Sequence, residues 1–148
     1  MHDIGPIGSM FYWGFHAKHN PEKAPLLIYF PEDGMMPEIF YGNGPFRIID
    51  GKVVENLNSW HGELNVVYVD TPIGQELSKA SLDGMPKHPY EQAQNIVDMI
   101  FSLAFLIPSL KHRELYIGGG GGDHGKILAL ALRMLSKDPV CPFVLVIF

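Results

Sequence analysis

Two short runs limit what this chain can fold into. Leu26 to Phe30 is an uninterrupted apolar pentamer between Pro25 and Pro31, and residues 64–69 (LNVVYV) end at Asp70-Thr71-Pro72. Both are too short for helices, and the first has no polar alternation, so it reads as a strand covered on both faces. Such a strand needs helices above and below it, and the rest of the chain offers them. Ala93, Ile96, Val97, Ile100, Ala104 and Ile107 recur at helical spacing, while Phe101, Leu103, Phe105 and Leu106 fill the other faces, predicting a helix that ends buried all round. Residues 114–117 read as a strand, residues 126–135 as an Ala- and Leu-rich helix, and residues 142–148 as a final strand. The aromatic stretch 9–17 reads as an opening strand. This alternation predicts an α/β fold, a mainly parallel sheet with flanking helices.

Residues 31–62 break the pattern, with Gly34, Pro37, Gly42, Gly44, Pro45 and Gly51, and read as a long irregular loop. At 148 residues the chain has the length of one domain, and 11 Lys+Arg against 16 Asp+Glu leave no basic stripe for nucleic acid. Charged residues make up only 18% of the chain, so an unusual share of surface is expected to be covered by something else. Phe143 to Phe148 would be a charge-free edge strand without the usual protection, and a partner chain is the expected cover. The longest apolar stretch is too short to span a bilayer. One cysteine, Cys141, excludes an internal disulfide, and no leader is visible, which points to a reducing interior, the cytosol or an organelle such as the mitochondrion.

The run Gly118-Gly119-Gly120-Gly121-Gly122-Asp123-His124-Gly125-Lys126 lies between a predicted strand and a predicted helix. As a phosphate loop, Gly120, Gly121, Gly122, Gly125 and Lys126 would cradle an anion, with Asp70 imitating the magnesium carboxylate. Ile127, however, stands where a Ser or Thr should hold the metal. As a nucleophile elbow, Asp123 would replace the usual serine, with His61 or His124 as base. As a plain connection, Asp123 would cap the helix and His124 would be exposed. The seven histidines are scattered and predict no metal centre, and no cofactor is expected.

Several blocks, in order, resemble serine carboxypeptidases. Phe11-Tyr12-Trp13-Gly14-Phe15 is similar to the family's FYWFF, and Asn20-Pro21-Glu22-Lys23-Ala24-Pro25-Leu26 to its NPEKDPL. Gly44-Pro45-Phe46-Arg47-Ile48 resembles GPFRI, Asn58-Ser59-Trp60 the YSWN region, Val67-Tyr68-Val69-Asp70-Thr71-Pro72-Ile73-Gly74 the FLDQPVG segment, and Tyr116-Ile117 the start of YIAGESYAG. The resemblance implies a truncated α/β-hydrolase fold spanning about the first third of the family's length. It also implies a dismantled site. Where the family has NGGPGCSS, with oxyanion-hole amides, this chain has Pro31-Glu32-Asp33-Gly34. Counting from Tyr116-Ile117, Gly120 takes the family's Glu position and Gly121 its Ser position; with two residues treated as inserted, Asp123 takes the Ser position. The family's Asp and His lie beyond the matched stretch. The expectation is a non-catalytic, serine carboxypeptidase-like subunit of a larger protein assembly.

Overall fold

The computed structural model describes residues 2–3, 8–74, 76–111, 113–141 and 143–145. Its centre is a five-stranded sheet in the order β10 (Val144–Leu145), β9 (Glu114–Gly119), β4 (Leu26–Phe30), β7 (Asn65–Val69), β3 (Tyr12–Phe15). The first four run parallel, and β3 is antiparallel to β7 with Tyr12 opposite Val69. The mainly parallel α/β sheet expected from the sequence is therefore present.

Period-two alternation sends the side chains of β4 and β7 into two cores. Leu26, Ile28, Phe30, Val67 and Val69 meet α2 (Pro89–Leu106) and α3 (Gly122–Lys137) on one face. Leu27, Val66 and Tyr68 meet α1 (Met35–Tyr41) on the other. Both strands are thus covered above and below, as their composition requires.

Four local expectations are corrected. The opening strand is two: β2 (Gly8–Met10) pairs with β1 (His2–Asp3) and β8 (Lys79–Ala80) in a separate small sheet, and β3 joins the main one. The break falls at Phe11, whose N–H donates to Ser78 Oγ at 2.9 Å. Residues 31–62 are ordered as α1, an antiparallel hairpin of β5 (Phe46–Ile49) and β6 (Lys52–Glu55), and a 3-10 turn at Trp60–Gly62. Buried Asn56 holds them together, donating to Gly44 O at 2.8 Å and accepting from Arg47 Nε at 3.1 Å. The end of α2 is not buried all round: Phe105 is 79% and Leu106 56% exposed. Helix α3 begins four residues before the predicted start, because packing against α2 and β9 recruits residues of low intrinsic propensity. At the C-terminus, Val144 and Leu145 form the edge strand β10, and residues 146–148 lie outside the described residues.

Candidate functional site

Strands β4 and β9 are adjacent and parallel, with Phe30 opposite Gly119, so the segments after them emerge side by side at the carboxyl edge of the sheet. That edge is where open α/β sheets place ligands. Gly120 N–H donates to Phe30 O at 3.1 Å, which ties the turn to the end of β4. Gly119 permits the close approach: a Cβ there would lie 2.8 Å from both Phe30 O and Leu128 Cδ1.

The turn itself is short. Gly121 has φ 83° and ψ 153° and is the N-cap of α3, so the chain passes from strand to helix through Gly120 and Gly121. This places Gly121 at the tip, where the family count without insertion puts the serine. Asp123 is the second residue of the helix, past the turn, which corrects both its placement at the elbow tip and its role as N-cap; its side chain lies outside the described residues. The phosphate-loop geometry is corrected for the same reason. Gly122, Gly125 and Lys126 lie within the helix and not in a loop before it, and the Gly125 N–H is already donated to Gly121 O at 3.3 Å. Asp70 is equally committed elsewhere. It is 2% exposed, and its Oδ2 accepts from Leu77 N–H at 2.8 Å and Ser78 N–H at 2.7 Å, closing the loop after β7.

The space above Gly121 belongs to Glu32. A Cβ on Gly121 would overlap the Glu32 carboxylate, and a Cβ on Gly120 would touch Glu32 Cβ at 3.4 Å. A second carboxylate stands beside the same loop: Glu76 Oε2 accepts the Met35 N–H at 3.2 Å at the start of α1. Pro31, between β4 and Glu32, has no N–H to offer. The loop after β4 therefore presents the Glu32 carboxylate to the elbow.

The two histidines stand apart. His124 is half-buried rather than exposed, lining a cleft of about 10 Å³ with Thr71, Gln92 and Asn95, room for a single water and not for a nucleotide. His61 bonds to Ser59 Oγ through Nδ1 and packs 6.4 Å from Phe15, just before β7 begins, whereas the glycine turn follows the end of parallel β9. Burial pushes the His61 imidazole below 6.5, Lys18 acts in the same direction, and Glu55 opposes both.

Sequence reasoning missed the aromatic wall beneath the site. Tyr29 meets Trp60 edge-on at 5.1 Å and Tyr68 at 6.1 Å, and Tyr68 OH donates to Asn43 Oδ1 at 2.6 Å. Burial raises the Tyr68 phenol well above its ordinary 10.0, with Glu38 and then Tyr29 acting in the same direction. The folded state therefore keeps a proton that the unfolded chain releases, so stability falls as pH rises past 10.0. Tyr68→Phe is expected to cost about 0.5–1.5 kcal/mol at neutral pH through the lost hydrogen bond. It should also remove an alkaline slope of at most about 1.4 kcal/mol per pH unit, so urea midpoints of the two proteins should converge at high pH.

Comparison with known proteins fits this frame. The family model for serine carboxypeptidase matches residues 6–121. The chain belongs to the serine carboxypeptidase family. Among this family's curated members it is 44% identical over 133 residues to the pheromone-processing carboxypeptidase KEX1 of Phytophthora infestans, covering 87% of this chain and 21% of that protein. It is 31% identical over 138 residues to the vitellogenic carboxypeptidase of Aedes aegypti, covering 88% of this chain and 29% of that one. The crystal structure of KEX1(delta)P, a prohormone-processing carboxypeptidase from Saccharomyces cerevisiae, superposes with a TM-score of 0.76 at 18% identity, covering 93% of this chain and 32% of that one. That likeness establishes the α/β-hydrolase architecture. This serine carboxypeptidase chain spans between a fifth and a third of the length of these relatives.

Proposed function

We propose that this serine carboxypeptidase-family chain is non-catalytic and acts through its surfaces, as a structural or interaction subunit of a protein assembly. One observation carries the reading: the elbow tip is Gly121, which has no side chain, and the exposed Glu32 carboxylate lies in the space beside it. Acyl transfer requires donors aimed at a developing oxyanion, and a carboxylate in that space has the wrong sign. Removing the nucleophile from a serine hydrolase lowers turnover on the order of a million-fold even with the rest of the site intact. The interaction role is supported by exposed Phe105 and Leu106 at the end of α2. A partner subunit over β10 would cover the edge of the sheet.

The test is hydrolysis of p-nitrophenyl acetate and of a blocked dipeptide with a free C-terminal carboxylate by the full chain. The expected result is no turnover above buffer, either for the chain as it stands or for Gly121→Ser, whose hydroxyl would enter beside Glu32. Turnover that disappears in Asp123→Asn would overturn the reading and assign the nucleophile to Asp123.

A further inference from the structure

Beside the N-terminal half of α2 runs an open groove of about 510 Å³, within the size range of ligand sites and formed between residues 83–87 and one face of the helix. Residues 90, 91, 94, 95 and 98 of α2 line it, and their i, i+4, i+8 spacing places them on a single stripe. From residue 90 to residue 98 the helix rises about 12 Å, the length of three or four residues of extended chain. The groove's lining joins large apolar side chains with carboxylates. Tyr90 is 62% and Met85 50% exposed there. Asp83, Glu91 and Asp98 line the same groove, with Lys87 as the one lysine among the lining residues.

Two of the carboxylates are held in place. Glu91 Oε2 accepts the Lys87 N–H at 2.7 Å, which fixes the 83–87 loop to the first turn of α2, and Asp98 Oδ1 accepts Gln94 Nε2 at 2.9 Å. Each carboxylate retains acceptor capacity for a further donor. Among the described residues no three His, Cys, Asp or Glu side chains converge as a metal ion needs, so the carboxylates act as separate points of attraction along the groove. An excess of negative charge in one groove with an exposed aromatic and a thioether is complementary to a segment that carries both cationic and large apolar side chains, with Tyr90 able to receive a cation on its ring face.

We infer that this groove docks a short extended segment of a partner protein in which lysine or arginine alternates with a large apolar residue. The inference rests on the reading of the chain as an interaction subunit and gives that subunit a partner chemistry. The experiment is fluorescence anisotropy of the labelled hexapeptide Gly-Lys-Leu-Lys-Leu-Gly titrated with the full chain at low salt. Its Glu-for-Lys counterpart serves as control, and circular dichroism verifies the fold of every variant. The Lys peptide is expected to bind at least ten-fold tighter than the Glu peptide. Glu91→Gln/Asp98→Asn, which keeps an oxygen acceptor at both positions, should weaken binding ten-fold or more, Tyr90→Ala should weaken it about three- to ten-fold, and added salt should weaken it steadily. Equal binding of the two peptides, or unchanged binding by the charge-neutralised variant, overturns the inference. Mass spectrometry of the same samples separates the two readings: a peptide shortened from its C-terminus would overturn the non-catalytic assignment, while the anisotropy result decides the groove.

Discussion

Phe30→Ala is expected to destabilise the chain by about 3–5 kcal/mol, the cost of a large cavity in a close-packed interior. Phe30 is fully buried and belongs to the core that joins the sheet to α2 and α3. It is also the last residue of β4, where the strand meets the elbow: its carbonyl accepts the Gly120 N–H, and its Cβ lies 3.4 Å from where a Gly119 side chain would begin. Collapse around the missing ring is restricted, because backbone sits on that side and cannot follow it inward. Against a total stability of about 5–15 kcal/mol the loss is large. Urea denaturation should show a lower midpoint with an unchanged slope. A loss below about 1 kcal/mol would mean that the sheet and the two helices are not packed as described.

The second large effect is expected at Asn65, which is 3% exposed and lies at the start of β7. Its Oδ1 accepts the Ala17 N–H at 3.2 Å and stands 3.3 Å from His16 Nδ1, and its Nδ2 donates to Pro21 O and Ala24 O, both at 2.9 Å. Arg113 Nη1 donates to the same two carbonyls at 2.7 and 2.9 Å, so one turn, residues 20–24, is held from both sides. Asn65→Leu removes one side and leaves the Ala17 amide without its acceptor, for an expected cost of about 2–4 kcal/mol. Arg113→Ala alone should cost less, because the Asn65 amide still satisfies both carbonyls. Together they should cost more than their sum by roughly 0.5–3 kcal/mol, since only then do Pro21 O and Ala24 O lose both donors. Strict additivity in a double-mutant cycle would contradict the shared-acceptor arrangement.

The elbow illustrates how far a sequence carries. A glycine run between a strand and a helix announces a turn with close backbone approach, and the family blocks around it announce whose turn it is. Which glycine stands at the tip is not in the string, because five consecutive glycines offer the backbone several equivalent places to bend. The choice is made by packing: α3 lies against α2 and β9, Gly119 must clear Phe30 and Leu128, and the bend falls at Gly121. Glu32 is similar. Its charge is legible, yet its place over Gly121 follows from the parallel register of β4 and β9, a pairing between residues about ninety positions apart.

Where burial was continuous, the residues alone were enough. Strands β4 and β7 and the helix α2 follow from apolar runs whose length and period admit one solution, since leaving such faces in water would cost more than any local conformational preference could return. Where a segment is held by single polar contacts reaching across the chain, the tertiary structure decided. Asn56 organises the 42–58 region, Glu76 accepts the first amide of α1, and Ser78 divides β2 from β3. One side chain can satisfy a distant backbone group from many positions in sequence, so such contacts leave no periodic trace, and only the folded chain chooses among them.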